Sequence, residues 1–217
     1  MAAFVTAPSE PVVPLELHGQ PVLAVAAAYF GDPTIGAGLL RLLQEVPPAI
    51  DTLGVLSYTA LQQLFDAANV PGRPTYVKSD FLDELDDHAV ERLVSYGTRP
   101  SSPFNQVVVR RLGVVDPAAT AFFHRDATHV LLVASAWTDP AEDSDAHVRW
   151  TRDTWAALRP WSSGTYVNHL GDEGLDRIRE AYPATTWQRL TALKRRMDPH
   201  NVFTLNQNIP PDGPTPV

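Results

Sequence analysis

The sequence predicts an α+β fold in which an antiparallel or mixed β-sheet of about five strands is covered by helices. Apolar runs of strand length alternate with amphipathic helical runs along the chain, but the connections between them are irregular. Residues 104–137 hold two strand patterns with no helix between them, and neighbouring strands joined in this way are normally antiparallel. A regular parallel sheet is therefore disfavoured.

The first part of the chain combines a proline-rich start with a strand and a helix. Prolines recur through residues 1–20, so we expect an extended arm there. The run that starts at Pro21 and stops before Gly31 is apolar on both faces and predicts a central strand. Leucines at helical spacing predict a helix over residues 34–44, which Pro47 terminates.

The rest of the chain carries further strand and helix patterns. Strands are expected at residues 53–56, 75–81, 104–112, 129–137 and 165–168. Helices are expected at residues 58–68, 86–96, 143–158 and 186–197, the last with Leu190, Leu193 and Met197 turned inward. We expect a single α+β domain over residues 21–210 and a disordered tail over residues 211–217.

The composition excludes several classes of function. The 217 residues carry a formal net charge of -8, which argues against a nucleic-acid-binding surface. Cysteine is absent, which excludes disulfides, thiolate nucleophiles and zinc-thiolate sites. No apolar run reaches the ~20 residues of a membrane span, and the first residues lack the pattern of a secretory signal. We therefore expect a soluble, cytoplasmic protein without a membrane or nucleic-acid partner.

Common catalytic motifs are also missing from the sequence. The 7 histidines show no metal-ligand spacing such as His-Glu-x-x-His, so we expect no bound metal. No Gly-x-Ser-x-Gly nucleophile elbow is present. Nor is there a glycine-rich strand-turn-helix segment of the kind that cradles a dinucleotide pyrophosphate.

Five short motifs occur in a fixed order along nearly the whole chain. They are Pro14-Leu-Glu-Leu-His18-Gly19, Tyr76-Val-Lys78-Ser79-Asp80-Phe81, Ala121-Phe-Phe-His124-Arg125, Tyr166-Val-Asn168-His169, and the ending Asp198-Pro199 to Asn206-Gln207-Asn208-Ile209-Pro210. This set resembles the substrate-domain portion of the berberine bridge enzyme-like, FAD-linked oxidases. The resemblance implies the fold of that domain, a small-molecule substrate and oxidoreductase chemistry.

The resemblance implies a catalytic role for Tyr166, which would help to deprotonate a substrate hydroxyl or phenol while hydride leaves to the flavin. Tyrosine ordinarily keeps its proton at neutral pH, so it needs a cation or a hydrogen-bonded partner to act as a base. His169 is the nearest candidate in sequence, although strand alternation would place it on the opposite face unless the backbone bends. Asn168 shares a face with Tyr166 and would orient it. The alternative is an ordinary half-buried strand tyrosine.

The sequence departs from the family pattern at several positions. The family places Gln, Asn or Glu five residues before a Trp, and here that position is Leu132, which cannot exchange a proton. Phe123 replaces a proline, and the loop after Gly113 lacks a second glycine. From the resemblance we expect the substrate to be bound by Asn168, Leu132, Gln106 and Lys78. We expect the flavin to be contacted by Gln207 and Asn208.

The expected source of the cofactor is another chain. Family members place a long FAD-binding domain ahead of the substrate domain, and this sequence starts within the latter. We therefore expect FAD only if a partner chain supplies it. The first strands of the substrate domain are expected to be missing, which would expose a sheet edge. That edge favours a homodimer or a complex with a separate flavin-binding chain.

Three hypotheses about function follow from these observations. The leading one is the substrate-binding half of a berberine bridge enzyme-like FAD-linked oxidoreductase, which the ordered motifs favour. The second is a flavin-independent cyclase or isomerase of secondary metabolism that uses Tyr166 and His169 as acid-base groups, which Leu132 favours. The third is a non-catalytic binding protein or a truncated relic.

Overall fold

The computed structural model describes residues 1–113, 124–139, 143–171 and 173–211. Its strands within these ranges are β1 (Ala2–Thr6), β2 (Pro21–Val25), β3 (Thr75–Leu82), β4 (Gln106–Arg111), β5 (His129–Ala136) and β6 (Ser162–Gly164). They form one sheet in the order β2-β1-β4-β5-β3-β6. Every neighbouring pair is antiparallel.

Along the chain, helices precede and follow the central strands of the sheet. They are α1 (Pro33–Leu40), α2 (Tyr58–Gln63), α3 (Asp87–Gly97), α4 (Ser144–Leu158), α5 (Leu175–Glu180) and α6 (Ala184–Met197). Short 3-10 turns at Arg41–Gln44 and Asp66–Ala68 continue α1 and α2 toward the ends predicted for them. The predicted α+β class is confirmed, and the sheet is wholly antiparallel.

One face of the sheet, here called the helix face, packs against α3 and α4. Leu131 and Val133 of β5 join Leu93 of α3 and Leu158 of α4 in a core whose named members are at most 5% exposed. Burial of each such side chain contributes ~2 kcal/mol to stability. This core holds the two longest helices of the first 160 residues against the centre of the sheet.

The N-terminal strand approaches α3 closely. A Cβ atom built on Gly97 would lie 2.4 Å from Cγ of Phe4, so only glycine permits this contact. Phe4 also packs against the core on the helix face. The contact fixes β1 between β2 and β4.

The opposite face, here called the cavity face, carries a row of three residues across the sheet. The register pairs Arg110 of β4 with Val130 of β5, and Val130 with Phe81 of β3. Cross-strand partners point to the same side of a sheet, so their side chains lie next to one another. Phe81 and Val130 are buried in a second apolar cluster, against which Tyr166 packs.

The structure differs from the extended arm expected for residues 1–20 in the first six residues. Ala2–Thr6 pairs with β2 on one side and β4 on the other, so β1 is an interior strand. The first proline, Pro8, lies beyond the end of β1, so the argument from proline did not apply to this stretch. The strand at Pro21 is an edge strand rather than a central one, and its Leu23 is 55% exposed.

Two predicted strands are wrong. Residues 51–57 form neither strand nor helix, and Val55 in this stretch is 80% exposed. At the second position β6 ends at Gly164, and Val167–His169 forms a single 3-10 turn. Both predictions rested on short apolar runs, whose length does not separate a strand from a turn.

The last helix turns a different face inward from the one predicted. Trp187 and Thr191 of α6 are buried, whereas Leu193 and Met197 are 47% and 71% exposed. The apolar residues of this helix are divided between two faces, and the face that contains Trp187 is the one that packs against the protein. An apolar stripe of α6 therefore remains at the surface.

Some expectations concern residues outside the described ranges. These are Phe123 with its two preceding motif residues, the loop that follows Gly113, and residues 212–217 of the tail. The limits of the single domain over residues 21–210 remain a prediction, although the sheet already starts at β1. None of the described helices is both long and apolar enough to cross a membrane.

Candidate active site

A cavity of about 210 Å³ lies on the cavity face of the sheet. Its lining consists of Phe81, Arg110, Leu112, Val130, Tyr166 and His169. Phe81 and Val130 are buried and form its floor, whereas Arg110 is exposed and stands at its rim. The cavity thus combines an apolar floor with one cation and two groups that can exchange protons.

The 3-10 turn at Val167–His169 brings Tyr166 and His169 together. The amide of His169 donates to the carbonyl oxygen of Tyr166 at 2.9 Å. With three residues per turn, side chains three positions apart lie on the same side. The two rings accordingly meet edge to face, with centroids 4.8 Å apart and planes at 84°. The backbone bends here, which was the stated exception to the opposite placement expected from strand alternation.

A buried hydrogen bond attaches this turn to the sheet. Thr165, which is 1% exposed, donates from Oγ1 to the carbonyl oxygen of Ser79 at 2.9 Å. Thr165 directly precedes Tyr166, so the position of the tyrosine is set by β3. A buried bond of this kind is costly to break, because the Thr165 hydroxyl would lose its acceptor away from water.

Ser79 also fixes the imidazole of His169. The Ser79 hydroxyl donates its single proton to the carbonyl oxygen of Leu131 at 2.8 Å. Its oxygen lies 3.0 Å from Nδ1 of His169, so Nδ1 must be the donor in that second bond. The neutral ring then carries its proton on Nδ1, which leaves the lone pair of Nε2 available as a base.

The environment of His169 keeps the ring neutral. Burial lowers the pKa of His169 below its ordinary value of 6.5, and the positive charge of Arg110 lowers it further. An imidazole with a depressed pKa is unprotonated at neutral pH and can accept a proton from a substrate.

Asn168 and Phe81 orient the tyrosine. Asn168 donates from Nδ2 to the hydroxyl oxygen of Tyr166 at 2.8 Å. The ring of Tyr166 meets Phe81 edge to face, with centroids 5.9 Å apart. Because the hydroxyl accepts the bond from Asn168, its own proton is not used in that contact. The predicted orienting role of Asn168 agrees with this geometry.

Behind the floor, His124 supports Phe81. The two rings are stacked with centroids 4.3 Å apart, and burial lowers the pKa of His124. A Cβ atom built on Gly164 would lie 2.3 Å from Cε1 of His124, so the glycine makes room for the imidazole. The His124 motif therefore contributes packing beneath the cavity.

Leu132 and Gln106 lie on the cavity face at different distances from the cavity. Leu132 pairs directly with Ser79, the residue that holds His169, and so borders the site. Gln106 is four positions from Arg110 along β4, a distance of ~13 Å in a strand. Neither side chain lines the cavity.

Lys78 is not brought together with the other predicted site residues. It pairs with Val133, whose side chain is in the core of the helix face, so Lys78 points away from the cavity. Its ammonium group forms an ion pair with Glu173 and lies 5.1 Å from the ring centroid of Trp155. A role in substrate binding remains a prediction that this placement does not favour.

Lys78 belongs to a group of charged side chains that ties β3 to α4 and α5. Asp80, 1% exposed, accepts from Trp155 Nε1 at 2.9 Å, from Arg159 Nη1 at 3.2 Å and from Arg177 Nη2 at 2.9 Å. A buried carboxylate needs such partners to remain charged. β3 therefore anchors the ion pairs on one face and His169 on the other.

Gln207 secures the C-terminal segment beside the turn. It donates from Nε2 to the carbonyl oxygen of Leu170, the residue after His169, at 2.6 Å. The amide of Asn208 donates to the carbonyl oxygen of Asn206 at 2.9 Å. The structure thus brings the two predicted flavin-facing residues near the end of the turn.

Several residues with a part in the site were not predicted for it, namely Ser79, Phe81, Arg110, Leu112 and Val130. Ser79 and Phe81 belong to one of the five motifs. They are two positions apart in a predicted strand, which indicates that their side chains lie on the same face of the sheet. Arg110 lies in a predicted strand, but nothing in the sequence showed that the charged residue would line the same cavity as His169. That placement depends on strand order.

The described residues fit one face of a flavin ring but not the whole of FAD. The cavity is smaller than the 300–1,000 Å³ typical of sites that enclose a large ligand, so the ring would lie across its mouth. Gln207 is joined to the residue after the turn by its bond to the carbonyl oxygen of Leu170, and Asn208 follows it in sequence. Within the described residues no group of three or more His, Asp or Glu side chains converges as a metal site requires.

The comparisons with known proteins agree with the predicted resemblance. The family model described as "Berberine and berberine like" matches residues 165–210, a range that contains the turn and the C-terminal segment. An uncharacterised FAD-linked oxidoreductase of Bacillus subtilis, YgaK, is 28% identical over 74% of the chain and 37% of its own length. The (R)-6-hydroxynicotine oxidase of Paenarthrobacter nicotinovorans is 33% identical over 45% of the chain and 22% of its own length.

Solved structures share the fold. The 6-hydroxy-D-nicotine oxidase of Arthrobacter nicotinovorans superposes with a TM-score of 0.76 at 22% identity, over 97% of the chain and 47% of that protein. Berberine bridge enzyme from Eschscholzia californica gives a TM-score of 0.64 at 22% identity, over 84% of the chain and 44% of that protein. The resemblance to berberine bridge enzyme-like, FAD-linked oxidoreductases is confirmed. The chain spans less than half the length of the relatives it matches.

Proposed function

We propose that the chain is the substrate-binding half of a berberine bridge enzyme-like FAD-linked oxidoreductase, with the flavin held by another chain. The observation that carries this proposal is the convergence of Tyr166 and His169 on one cavity, within the segment that matches the family model. Asn168, Gln207 and Asn208 complete the flavin-facing side.

In the proposed reaction a substrate alcohol or phenol lies on the apolar floor of the cavity. Nε2 of His169 accepts the hydroxyl proton, and the hydroxyl of Tyr166, oriented by Asn168, donates a hydrogen bond to the same substrate oxygen. Flavin supplied by the other chain is the hydride acceptor of this chemistry. Ser79 keeps the base in the correct tautomer, and the buried floor restricts access of water to the reacting oxygen.

Exposed apolar residues beside the site support a partner chain. Val202, Phe203 and Leu205 are 73%, 78% and 86% exposed, and they directly precede Gln207. Leu193 and Met197 of α6 extend the apolar surface. Contiguous exposed apolar residues commonly mark an interaction surface.

A homodimer is the other assembly that belongs to this proposal. The edge strand β2 has unpaired backbone groups on one side, which favour pairing with a second copy.

Cytoplasmic residence and a role in secondary metabolism are further parts of the proposal. The lack of cysteine is compatible with a reducing compartment but does not require one.

Reconstitution tests the proposed function. The chain is mixed with the separately produced FAD-binding half of the Bacillus subtilis relative, and flavin retention and anaerobic bleaching by a panel of alcohols and phenols are measured. We expect retained flavin that a substrate reduces, and slower reduction in Tyr166→Phe and His169→Ala. Tyr58→Phe and His88→Ala are matched controls at exposed positions. If neither this half nor other flavoprotein partners yield flavin retention and oxidation, the proposal fails.

A flavin-independent cyclase or isomerase is the second candidate function. The position of Leu132 beside Ser79 favours it, because an apolar side chain stands where the resemblance implies a proton-exchanging one. In this case Tyr166 and His169 would transfer protons with no redox step. Turnover by the chain without flavin, lost in Tyr166→Phe, would support it; turnover unchanged in both Tyr166→Phe and His169→Ala would exclude it.

A further inference from the structure

Arg110 is the cation among the described residues that line the cavity, and its strand β4 is separated by β5 and β3 from the strand β6 that precedes Tyr166. It shares a cross-strand row with Val130 and Phe81, so two strand spacings, or ~10 Å between Cα atoms, separate it from Phe81. Tyr166 packs on Phe81, and His169 packs on Tyr166. The apolar floor therefore has a guanidinium at one end and the acid-base pair at the other.

Arg110 stands apart from the ion pairs that the described part of the chain forms. Among the described residues, no carboxylate forms an ion pair with Arg110, in contrast to Arg159 and Arg177, which pair with Asp80. Arg110 also acts on the interior of the cavity, since its charge contributes to the lowered pKa of His169. Its guanidinium offers planar donors that match a carboxylate.

We propose that Arg110 binds an anionic substituent, most simply a carboxylate, on a substrate whose hydroxyl lies at Tyr166 and His169. This inference rests on the proposed function for the position of the hydroxyl. It specifies the substrate class as compact hydroxy acids in which an apolar core separates the hydroxyl from the carboxylate. Arg110 is thus a specificity-determining residue.

The size of the cavity limits the apolar core to about one ring. A cavity of roughly 150 Å³ holds benzene, and this cavity measures about 210 Å³. A single ring on the floor of Phe81 and Val130, with a substituent at each end, fills the space between Arg110 and His169. An uncharged substituent at the rim would leave the guanidinium without a charged partner.

Paired probes of equal shape test the inference. Titration calorimetry measures the binding of 4-(hydroxymethyl)benzoate and of the uncharged 4-(hydroxymethyl)benzamide to the full chain without flavin. We expect the carboxylate to bind about tenfold more tightly, because a charge-assisted hydrogen bond is lost with the amide. Arg110→Met should abolish this preference and Arg110→Lys should retain part of it. Arg111→Met is the matched control, since Arg111 is equally exposed but points to the opposite side of β4.

The outcomes separate this inference from the proposed function. Equal affinity of the wild-type chain for both probes, or a preference that survives Arg110→Met, overturns the inference. It is also overturned if Arg110→Met weakens the binding of FMN alone, because the cation would then serve the flavin. Arg110-dependent binding of the carboxylate without oxidation in the reconstituted complex contradicts the proposed function only.

Discussion

The hydroxyl oxygen of Ser79 lies 3.0 Å from Nδ1 of His169 and decides which nitrogen of the imidazole faces the cavity. The serine proton is committed to the carbonyl of Leu131, so the serine can only accept from the histidine. A strand residue that does not line the cavity thereby leaves the lone pair of the histidine on Nε2.

Ser79→Ala should release the tautomer of His169. With no acceptor at Nδ1, the proton redistributes between the two ring nitrogens, and we expect turnover to fall about tenfold for the loss of one hydrogen bond. The nitrogen chemical shifts of His169 report the tautomer directly by NMR. Ser101→Ala is a matched control, because Ser101 lies 3.0 Å from Nδ1 of His147, away from the cavity. An unchanged His169 spectrum in Ser79→Ala would contradict the assignment.

The pH dependence of turnover should follow His169. The base must be unprotonated, so kcat/KM rises with pH through a pKa that lies below 6.5. Arg110→Met removes a positive charge that opposes protonation, so the midpoint should move to higher pH. Arg111→Met should leave it in place. A midpoint that moves downward in Arg110→Met has the wrong sign for this arrangement.

Acidification should destabilise the fold through three histidines. Burial lowers the pKa values of His124, His129 and His169 in the folded state. Between the ordinary value of 6.5 and these lowered values the unfolded chain binds more protons, so the free energy of unfolding falls as the pH falls through this window. Urea titrations between about pH 8 and about pH 5 measure the slope.

A substitution separates this effect from general acid unfolding. His124→Gln should flatten the pH dependence while lowering stability at neutral pH, since the stacking on Phe81 is lost. His88→Gln removes an exposed histidine and should leave the slope unchanged. Equal slopes in the wild type and in His124→Gln would show that His124 is not one of the groups responsible.

Asp80→Ala should strongly destabilise the protein. The change removes the 2.9 Å contact of Arg177, whose side chain is 11% exposed, and also the acceptor of Trp155 Nε1, although Arg177 keeps Glu173 and Glu180. Breaking such a buried pair costs ~3 kcal/mol. Glu91→Ala, in an exposed contact with His88, should cost less than ~0.5 kcal/mol. Chemical denaturation compares the two. A small effect of Asp80→Ala would mean that water replaces the carboxylate and that the ion pairs do not anchor β3.

The sequence was sufficient for β3, β4 and β5 but not for the strands that flank them. β3 to β5 are long and apolar, and their pairing was predictable in kind because no helix separates β4 from β5. β1 was missed because the prolines that follow it dominated the interpretation of residues 1–20. Which strand lies at an edge depends on pairing between distant segments, which local patterns do not encode.

The candidate site could likewise be predicted only in part from the sequence. The motif around Tyr166 predicted Tyr166, His169 and Asn168 as site residues, but a strand was assumed where a 3-10 turn brings residues 166 and 169 to one side. Lys78 stands in the same motif as Ser79 but points to the other face, since a shift of one residue along a strand reverses the direction of the side chain. Arg110 became part of the site only through the order of β4, β5 and β3.

The most direct test of the central claim is the anaerobic rate of flavin reduction in the reconstituted complex. It is measured by stopped-flow absorbance for the wild-type chain, for the Tyr166→Phe/His169→Ala double variant and for the His88→Ala control. The account predicts that the double variant retains flavin but reduces it at least ~100-fold more slowly, as expected for loss of general base catalysis. Flavin reduction by the double variant at the wild-type rate would contradict it.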